Sequence, residues 1–250
     1  MAILELVEYR VNFFWSIGGV TVSTLILYFF WVAVLGSGFA KSDYTTVSIG
    51  LYFLIITLVG QITHFNFGTV SQPIGDGYIS AELTKPYNFL LKTLMISLDD
   101  RILKSLVITI VAIFLINSSG LKLPLGQMPY FLLSLALASI CKFYIGMIVG
   151  SLAFWFNRVH AFNALFWNIG GLFSGELIPP EFLPPVLLTI SHYLPFTYLS
   201  YVPSRFLLHS VGAGEAVTGF IVQLLWICLI FTIYKLIWAK GIRRLESIGG

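Results

Sequence analysis

Six long apolar runs, separated by short polar connections, fill most of this 250-residue chain. About 20 apolar residues are enough for a helix to cross the hydrocarbon core of a bilayer. The runs contain scattered Gly and Ser and lack the strict alternation of membrane β-barrel strands. The pattern therefore predicts an all-α membrane protein of one domain, residues 1–250, with six transmembrane helices. The predicted spans are Val11–Leu35, Val47–Gly68, Ile102–Ile116, Pro129–Phe156, Ala161–Ile178 and Ala216–Trp238.

Composition strengthens this interpretation and argues against an enzyme. Hydrophobic residues make up 58% of the chain and charged residues 10%, whereas a soluble domain carries about 25% charged residues. Two cysteines, Cys141 and Cys228, lie inside apolar runs and form no metal motif. The sequence has no phosphate-binding loop and no recognisable catalytic motif. We therefore expect no catalytic residues, no metal and no cofactor in this chain.

The basic residues divide unevenly between the two sides of the predicted spans. Cytoplasmic segments of bacterial membrane proteins are enriched in Lys and Arg. If the N-terminus is cytoplasmic, ten basic residues fall inside and only Lys41, Lys122 and Arg205 fall outside. This bias predicts that both termini face the cytoplasm. The inner set is Arg10, Lys85, Lys92, Arg101, Lys104, Arg158, Lys235, Lys240, Arg243 and Arg244.

The first residues, Met1–Phe14, have the pattern of an amphipathic helix. Leu4, Val7 and Val11 recur at helical spacing, with Glu5 and Glu8 on other faces. We predict an elbow helix over residues 1–14 that lies on the inner leaflet. The alternative is that this stretch simply extends the first span.

The longest inner connection, with its core at residues 73–98, carries the clearest local signals. Pro73 and the triplet Gly75-Asp76-Gly77 predict a turn, followed by a short helix over Tyr78–Thr84. Pro86 forces a bend, because it disfavours helical geometry at the preceding residue. A second amphipathic helix is predicted to start at Pro86, a favoured first-turn position. Its apolar stripe consists of Leu90, Leu91, Leu94, Met95 and Leu98.

A second unusual stretch, residues 179–214, is apolar but broken by prolines. Broken helices at membrane depth survive only where protein or a water-filled cavity satisfies the backbone. We therefore predict a re-entrant pair of short helices that dips from the outer face and returns. The alternative is an outer loop that lies flat on the lipid headgroups.

Few charged residues fall inside the predicted spans. Lys142 lies mid-span on a stripe of small residues, Ala138, Gly146 and Gly150. It either lines a substrate path or pairs within an interface, or its ammonium reaches outward to water. Glu176 and Glu181 are predicted to orient the broken segment, with a gate role as the alternative.

Two further sets of residues favour helix packing. Gln61, Thr63, His64 and Asn66 gather near the inner end of the second span and are predicted to form a polar seam between helices. Gly171 and Gly175 repeat the small-residue spacing that lets membrane helices approach closely.

Taken in order, these elements resemble the ABC-2 type permeases, the membrane subunits of ATP-binding-cassette exporters. The run GYISAELTKP from Gly77 to Pro86 is similar to a block of that family, with Lys85 where Arg is more usual. Further likeness lies in Glu8–Asn12, Phe173–Pro179, Leu194–Phe196, Tyr201–Pro203 and the basic tail Trp238–Gly250. The likeness covers most of the chain.

The resemblance implies a coupling helix over Gly75–Pro86 that a cytoplasmic ABC ATPase grips. Its coupling residues would be Gly75, Gly77, Tyr78, Ile79, Ser80, Glu82, Leu83, Lys85 and Pro86. Replacing Glu82 or Leu83 is then expected to uncouple the ATPase. The outer gate would be Pro179–Pro203, and candidate residues of the gate or path are Lys142, Glu176, Tyr193, Phe196 and Tyr198.

The resemblance also implies the assembly. Two ATPase copies, which bind ATP and Mg²⁺, would serve two permease chains, identical or homologous, in the bacterial inner membrane. No nucleic acid is expected. The exported cargo would be amphiphilic: a drug, lipid, peptide or glycan. From the residues alone, two alternatives stay open: a secondary transporter driven by an ion gradient, and a membrane-embedded enzyme or assembly factor.

Overall fold

The computed structural model describes residues 2–37, 44–119, 124–156 and 159–248. These residues are helical for the most part, 83% overall, and contain no strand, which confirms the all-α prediction. They form eleven α-helices: α1 Ala2–Gly36, α2 Thr46–Thr63, α3 Gly68–Gly75, α4 Ile79–Leu83, α5 Phe89–Ser119, α6 Met128–Ser151, α7 Val159–Phe173, α8 Pro185–His192, α9 Phe196–Leu199, α10 Tyr201–Leu208 and α11 Ala213–Ile248.

Four of the predicted spans are long and apolar enough, within the described residues, to cross a membrane. They are Gly18–Gly36, Thr46–Gly75, Met128–Phe154 and Ala213–Leu245. The third and fifth predicted spans fall in α5 and α7. Helix α7 has 15 residues, which at 1.5 Å per residue reaches about 22 Å, less than the roughly 30 Å of the hydrocarbon core. It stops at Phe173, short of the predicted end at Ile178.

The ends of several elements differ from the prediction. Pro73 lies inside α3, and the turn follows it, with Gly77 at a φ of 79°. Helix α5 begins at Phe89 rather than at Pro86, because the Asn88 side chain caps it. Asn88 Oδ1 accepts hydrogen bonds from the backbone amides of Leu90 at 2.9 Å and Leu91 at 3.4 Å. The predicted helix over 78–84 is α4, within about one residue at each end.

The elbow helix stays a prediction. The backbone is helical without a break from Ala2 to Gly36, so no interruption separates an elbow from the first span. The side chains of residues 2–17 lie outside the described part of the chain.

Helix α6 packs against both α2 and α11, and all three run in the same direction. Ser134, near the start of α6, donates a hydrogen bond to Gln223 Oε1 of α11 at 3.2 Å. Phe154, just beyond the end of α6, lies against Gly241 of α11. The contact at the start of α6 and the contact at its end follow the same order along α11, so the two helices are parallel.

We call the end where α6 and α11 finish the basic end, since Lys85, Lys92, Lys235 and Lys240 lie there. A buried apolar cluster joins α3, α4, α5, α6 and α11 at this end. Through it, the short helix α4 is packed against the ends of long helices. The buried members are Phe65, Val70, Ile74, Ile79, Phe89, Phe143, Met147, Phe154 and Tyr234.

The segment after α7 follows a broken path between the middle of the bundle and its other end. Leu199 of α9 packs with Cys141 and Ile145, in the middle of α6. Val211, after α10, lies by the start of α6, where its carbonyl accepts a hydrogen bond from Gln127 at 3.2 Å. Pro184 and Pro185 at the start of α8 and Pro195 before α9 interrupt the helical path, whereas Pro203 lies within the first turn of α10.

The small-residue stripe on α6 is a packing surface for α3 and for the connection that precedes it. A side chain at Gly146 would overlap the ring of Phe65, with Cβ 1.8 Å from Cδ1. At Gly150 it would overlap Val70. Gly175 also packs closely against α2, since a Cβ there would lie 2.6 Å from the Tyr52 hydroxyl. It does so from the turn after α7, with a φ of 82°, and not from within a helix.

Gly146→Ala is expected to lower the free energy of unfolding by about 1–3 kcal/mol, because the buried Phe65 ring must move. The measurement is the thermal unfolding midpoint of the purified chain in lipid nanodiscs. Gly219→Ala on α11 is the matched control, since its Cβ meets Val202 at an ordinary 3.4 Å. Its midpoint is expected to stay the same or rise. Equal midpoints for the two variants would contradict the packing described.

Candidate coupling element and buried polar site

Helix α4 combines a buried anchor with exposed apolar side chains. Ile79 is fully buried in the cluster at the basic end, whereas Tyr78 is 46% exposed and Leu83 is 36% exposed. Of the nine predicted coupling residues, only Ile79 and Glu82 are buried. The others are exposed at the surface: Gly75, Gly77, Tyr78, Ser80, Leu83, Lys85 and Pro86. Seven of the nine predicted coupling residues are therefore accessible to a partner, and the buried Ile79 anchors the helix that carries or adjoins them.

Glu82 points into its own segment rather than outward. Its carboxylate accepts hydrogen bonds from the ammonium groups of Lys85 and Lys92. It also accepts one from the hydroxyl of Tyr87, at 2.6 Å. These contacts tie α4 to the bend at Pro86 and to the first turn of α5. Glu82 thus holds the shape of the predicted coupling element.

The charges around Glu82 change its acidity. The hydrogen bond from Lys85, followed by those from Lys92 and Tyr87, lowers the pKa of Glu82 to about 2. The same bonds raise the pKa values of Lys85 and Lys92. All three groups are therefore charged across the neutral pH range, and the network is intact there.

A second polar site lies in the middle of the bundle. The Lys142 ammonium donates to Glu176 Oε1 at 3.2 Å and to Ser200 Oγ at 3.0 Å. Ser200 in turn donates to Glu176 Oε1 at 2.6 Å. The Nζ atom also lies 5.7 Å from the centre of the Trp167 ring. The alternative in which the Lys142 ammonium reaches outward to water is therefore not what the structure shows. Lys142 pairs with Glu176 in the turn after α7.

The depth of this site follows from its neighbours on α2. The hydroxyl of Tyr52 donates to the carbonyl of Gly175 at 2.7 Å. A Cβ at Gly60 would lie 3.6 Å from Glu176 Oε1. The turn that carries Glu176 is therefore beside the central part of α2, well inside the bundle. Lys142 and Glu176, which are far apart in sequence, are brought together only by this fold.

A cavity of about 680 Å³ opens beside the polar site, between α1, α2, α6 and α7. Three of the four predicted seam residues, Gln61, His64 and Asn66, line it. Thr63 does not; it is buried and bonds to the carbonyl of Val59. The other polar lining residues are Ser23, Thr24, Thr57, Lys142, Asn163 and Glu176, and the apolar ones include Val20, Leu27, Ile56, Phe65, Phe67 and Leu177.

The three aromatic gate candidates lie apart from this cavity. Tyr193 follows α8 and is 78% exposed. Phe196 is buried against Gly170. Tyr198 bonds to the carbonyl of His192 at 3.3 Å and lines a smaller cavity of about 260 Å³. Glu181 does not line this cavity either; its carboxylate accepts a hydrogen bond from the hydroxyl of Tyr201.

Sequence reasoning missed three residues of the polar site: Asn163, Trp167 and Ser200. Asn163 and Trp167 lie four residues apart on α7, on one face of the helix, and this was the available signal. Ser200 gave no signal, because it lies in a break between two short helices. Within the described residues no group of His, Cys, Asp and Glu is arranged to hold a metal ion.

The Lys142–Glu176 pair is expected to show energetic coupling in a double-mutant cycle. Lys142→Met leaves the Glu176 carboxylate in the bundle without its cation, so it should destabilise the chain. Adding Glu176→Gln removes that penalty, and the coupling energy is expected to be about 1 kcal/mol or more. Thermal unfolding in nanodiscs measures it. Strictly additive effects would contradict a pairwise interaction.

The pH dependence of the Glu82 network has a defined sign. Because the folded pKa is depressed, the carboxylate stabilises the segment fully above its ordinary pKa of 4.5, and this contribution is lost as pH falls toward about 2. Hydrogen-exchange protection of the amides of residues 79–92, corrected for intrinsic rates, should decrease in that window. Glu82→Gln should remove this pH dependence. An unchanged profile in the variant would contradict the assignment.

The likeness to known proteins agrees with this arrangement. A family model described as an ABC-2 family transporter protein matches residues 10–249, and no curated protein matches the sequence. The match confirms the resemblance drawn from the motifs. Permeases of this family are transport components that are generally not catalytic themselves, and the family implies partnership with an ABC ATPase subunit. This chain, a multi-pass membrane protein, belongs to the ABC-2 family of transporter proteins.

Proposed function

We propose that the chain is the permease of an ATP-driven exporter for an amphiphilic substrate, coupled to its ATPase through α4. The observation that carries this proposal is the construction of α4. Tyr78, immediately before the helix, and Leu83, its last residue, are exposed, whereas Ile79 is fully buried in the apolar cluster with residues of α3, α5 and α6. A partner that binds the exposed side therefore pushes directly on the long helices.

In this mechanism, ATP and Mg²⁺ bind in the partner subunit. Closure of two ATPase copies displaces α4 in each of two permease chains. The buried contacts of Ile79 pass the displacement to the bundle, because packed interiors deform little. Glu82 acts as a positioning residue: its bonds to Lys85, Lys92 and Tyr87 keep α4 and the start of α5 together, so that they move as one unit.

The charge distribution supports an orientation for the exporter. Lys85, Lys92, Lys235 and Lys240 all belong to the basic end, which we assign to the cytoplasm of a bacterial inner membrane. The broken segment α8–α10 then faces outward. Its path from the outer end to the middle of α6 and back supports a re-entrant outer gate over Pro179–Pro203. In that gate, Tyr193 and Tyr198 lie toward the outer side and Phe196 packs inside.

Leu83→Ser is expected to weaken association with the ATPase about tenfold or more, because burying a leucine side chain contributes about 1.5–3 kcal/mol. The measurement is the dissociation constant between the permease in nanodiscs and the ABC ATPase that co-purifies with it. Val186→Ser is the matched control, an exposed apolar residue at the opposite end, and should bind as the wild type does.

Two results would overturn the proposal. One is equal ATPase affinity for the Leu83 and Val186 variants. The other is substrate efflux from proteoliposomes that contain only this chain, driven by an ion gradient. Such efflux would favour the secondary transporter, in which Lys142 and Glu176 would be the essential charged residues.

A further inference from the structure

We propose that the cavity between α1, α2, α6 and α7 binds the headgroup of a cationic amphiphile, one that carries a protonated amine with N–H donors. This assignment rests on the proposed transport function and narrows its substrate class. Among the described residues that line the cavity, Glu176 offers an accessible carboxylate and Asn163 a buried acceptor without a partner, whereas the ammonium group of Lys142 is already enclosed.

The different exposure of Lys142 and Glu176 indicates the sign of the charge that a ligand in the cavity would carry. The Lys142 side chain is 5% exposed, and that of Glu176 is 36% exposed. An ammonium has three N–H donors. Those of Lys142 face the Glu176 carboxylate, the Ser200 hydroxyl and the Trp167 ring. An anionic ligand would have to displace the carboxylate to reach Lys142, whereas a cation meets Glu176 directly.

Asn163 supplies the second observation. Its Oδ1 atom is buried and has no hydrogen-bond partner among the described residues, and the residue lines the same cavity. A buried acceptor without a partner costs stability. A ligand with an N–H donor would satisfy it. The Glu176 carboxylate and the unpartnered Asn163 oxygen are both hydrogen-bond acceptors, so a ligand that carries N–H donors complements each of them.

Size and apolar lining point to an amphiphile rather than a small polar amine. A volume of about 680 Å³ lies in the range of pockets that hold drug-sized ligands, about 300–1,000 Å³. Aromatic and aliphatic side chains line much of the wall, among them Ile56, Phe65 and Phe67. On the flanking helices, Ile26 of α1 and Leu165 of α7 are strongly exposed and apolar. This arrangement suits a chain that extends from the cavity into lipid.

The test is protection of an introduced cysteine. Ser23 lines the cavity, so Ser23→Cys in a Cys228→Ser background is labelled with a maleimide in nanodiscs. Labelling is repeated with dodecylammonium, dodecyltrimethylammonium or dodecanoate. Leu225→Cys, on an exposed face of α11, corrects for amphiphile dissolved in the lipid. Dodecylammonium is expected to protect the cysteine from labelling at a concentration about tenfold lower than dodecyltrimethylammonium or dodecanoate requires. The reason is that one charged hydrogen bond changes the affinity by about that factor.

Two variants separate recognition from folding. Asn163→Leu removes the orphan acceptor, so the unfolding midpoint should stay the same or rise, while the preference for dodecylammonium over its trimethyl analogue should be lost. Glu181→Gln is the control, a carboxylate outside the cavity, and should retain the preference.

Equal or better protection by dodecanoate would overturn the assignment of a cationic ligand. A preference that survives Asn163→Leu would overturn the role of that amide. The experiment needs no ATPase, so its outcome is independent of the coupling proposal. A chain that binds no ATPase but still prefers dodecylammonium would overturn the exporter and support the headgroup assignment.

Discussion

The ion pair between Lys142 and Glu176 is the interaction on which the middle of this bundle depends. A charge at membrane depth is costly unless it is paired, and Lys142 is buried in the middle of α6. The turn after α7 supplies the carboxylate, and Ser200 supplies the second acceptor. This pairing joins the middle of α6 to the turn after α7 and to the break between α9 and α10, beside the cavity.

The need to pair polar groups at membrane depth also explains why the irregular backbone after α7 is tolerated. Chain breaks at the turn after α7 and around Ser200 would expose unpaired polar groups in lipid. Here they lie against α2 and α6, where Tyr52 bonds to the carbonyl of Gly175 and Lys142 bonds to Ser200. The polar site and the broken helices therefore stabilise each other. The cavity beside them combines polar groups with apolar walls for the same reason.

At the basic end, charged side chains can be stabilised by water as well as by one another, because residues 83–88 are exposed. Glu82 gathers two lysines and a tyrosine in an exposed segment, and the apolar anchor Ile79 does the packing. The result is a short helix with one side held by the bundle and one side open to a partner. The short helix and the buried polar site thus lie at different depths, and α6 carries residues of both regions: Lys142 of the polar site, and Phe143 and Met147 of the cluster that contains Ile79.

The sequence by itself determined the fold class, four spans, the short helix α4 and the family, because these depend on local periodicity, turn residues and an ordered set of motifs. It also singled out Lys142, since a lone charge in an apolar run is visible without a structure. Only the tertiary structure decided its partner: Glu176 and Ser200 are distant in sequence, and no local pattern records which helices meet. The direction of the Glu82 side chain, the end of α7 at Phe173 and the cavity with Asn163 were likewise decided by packing between helices.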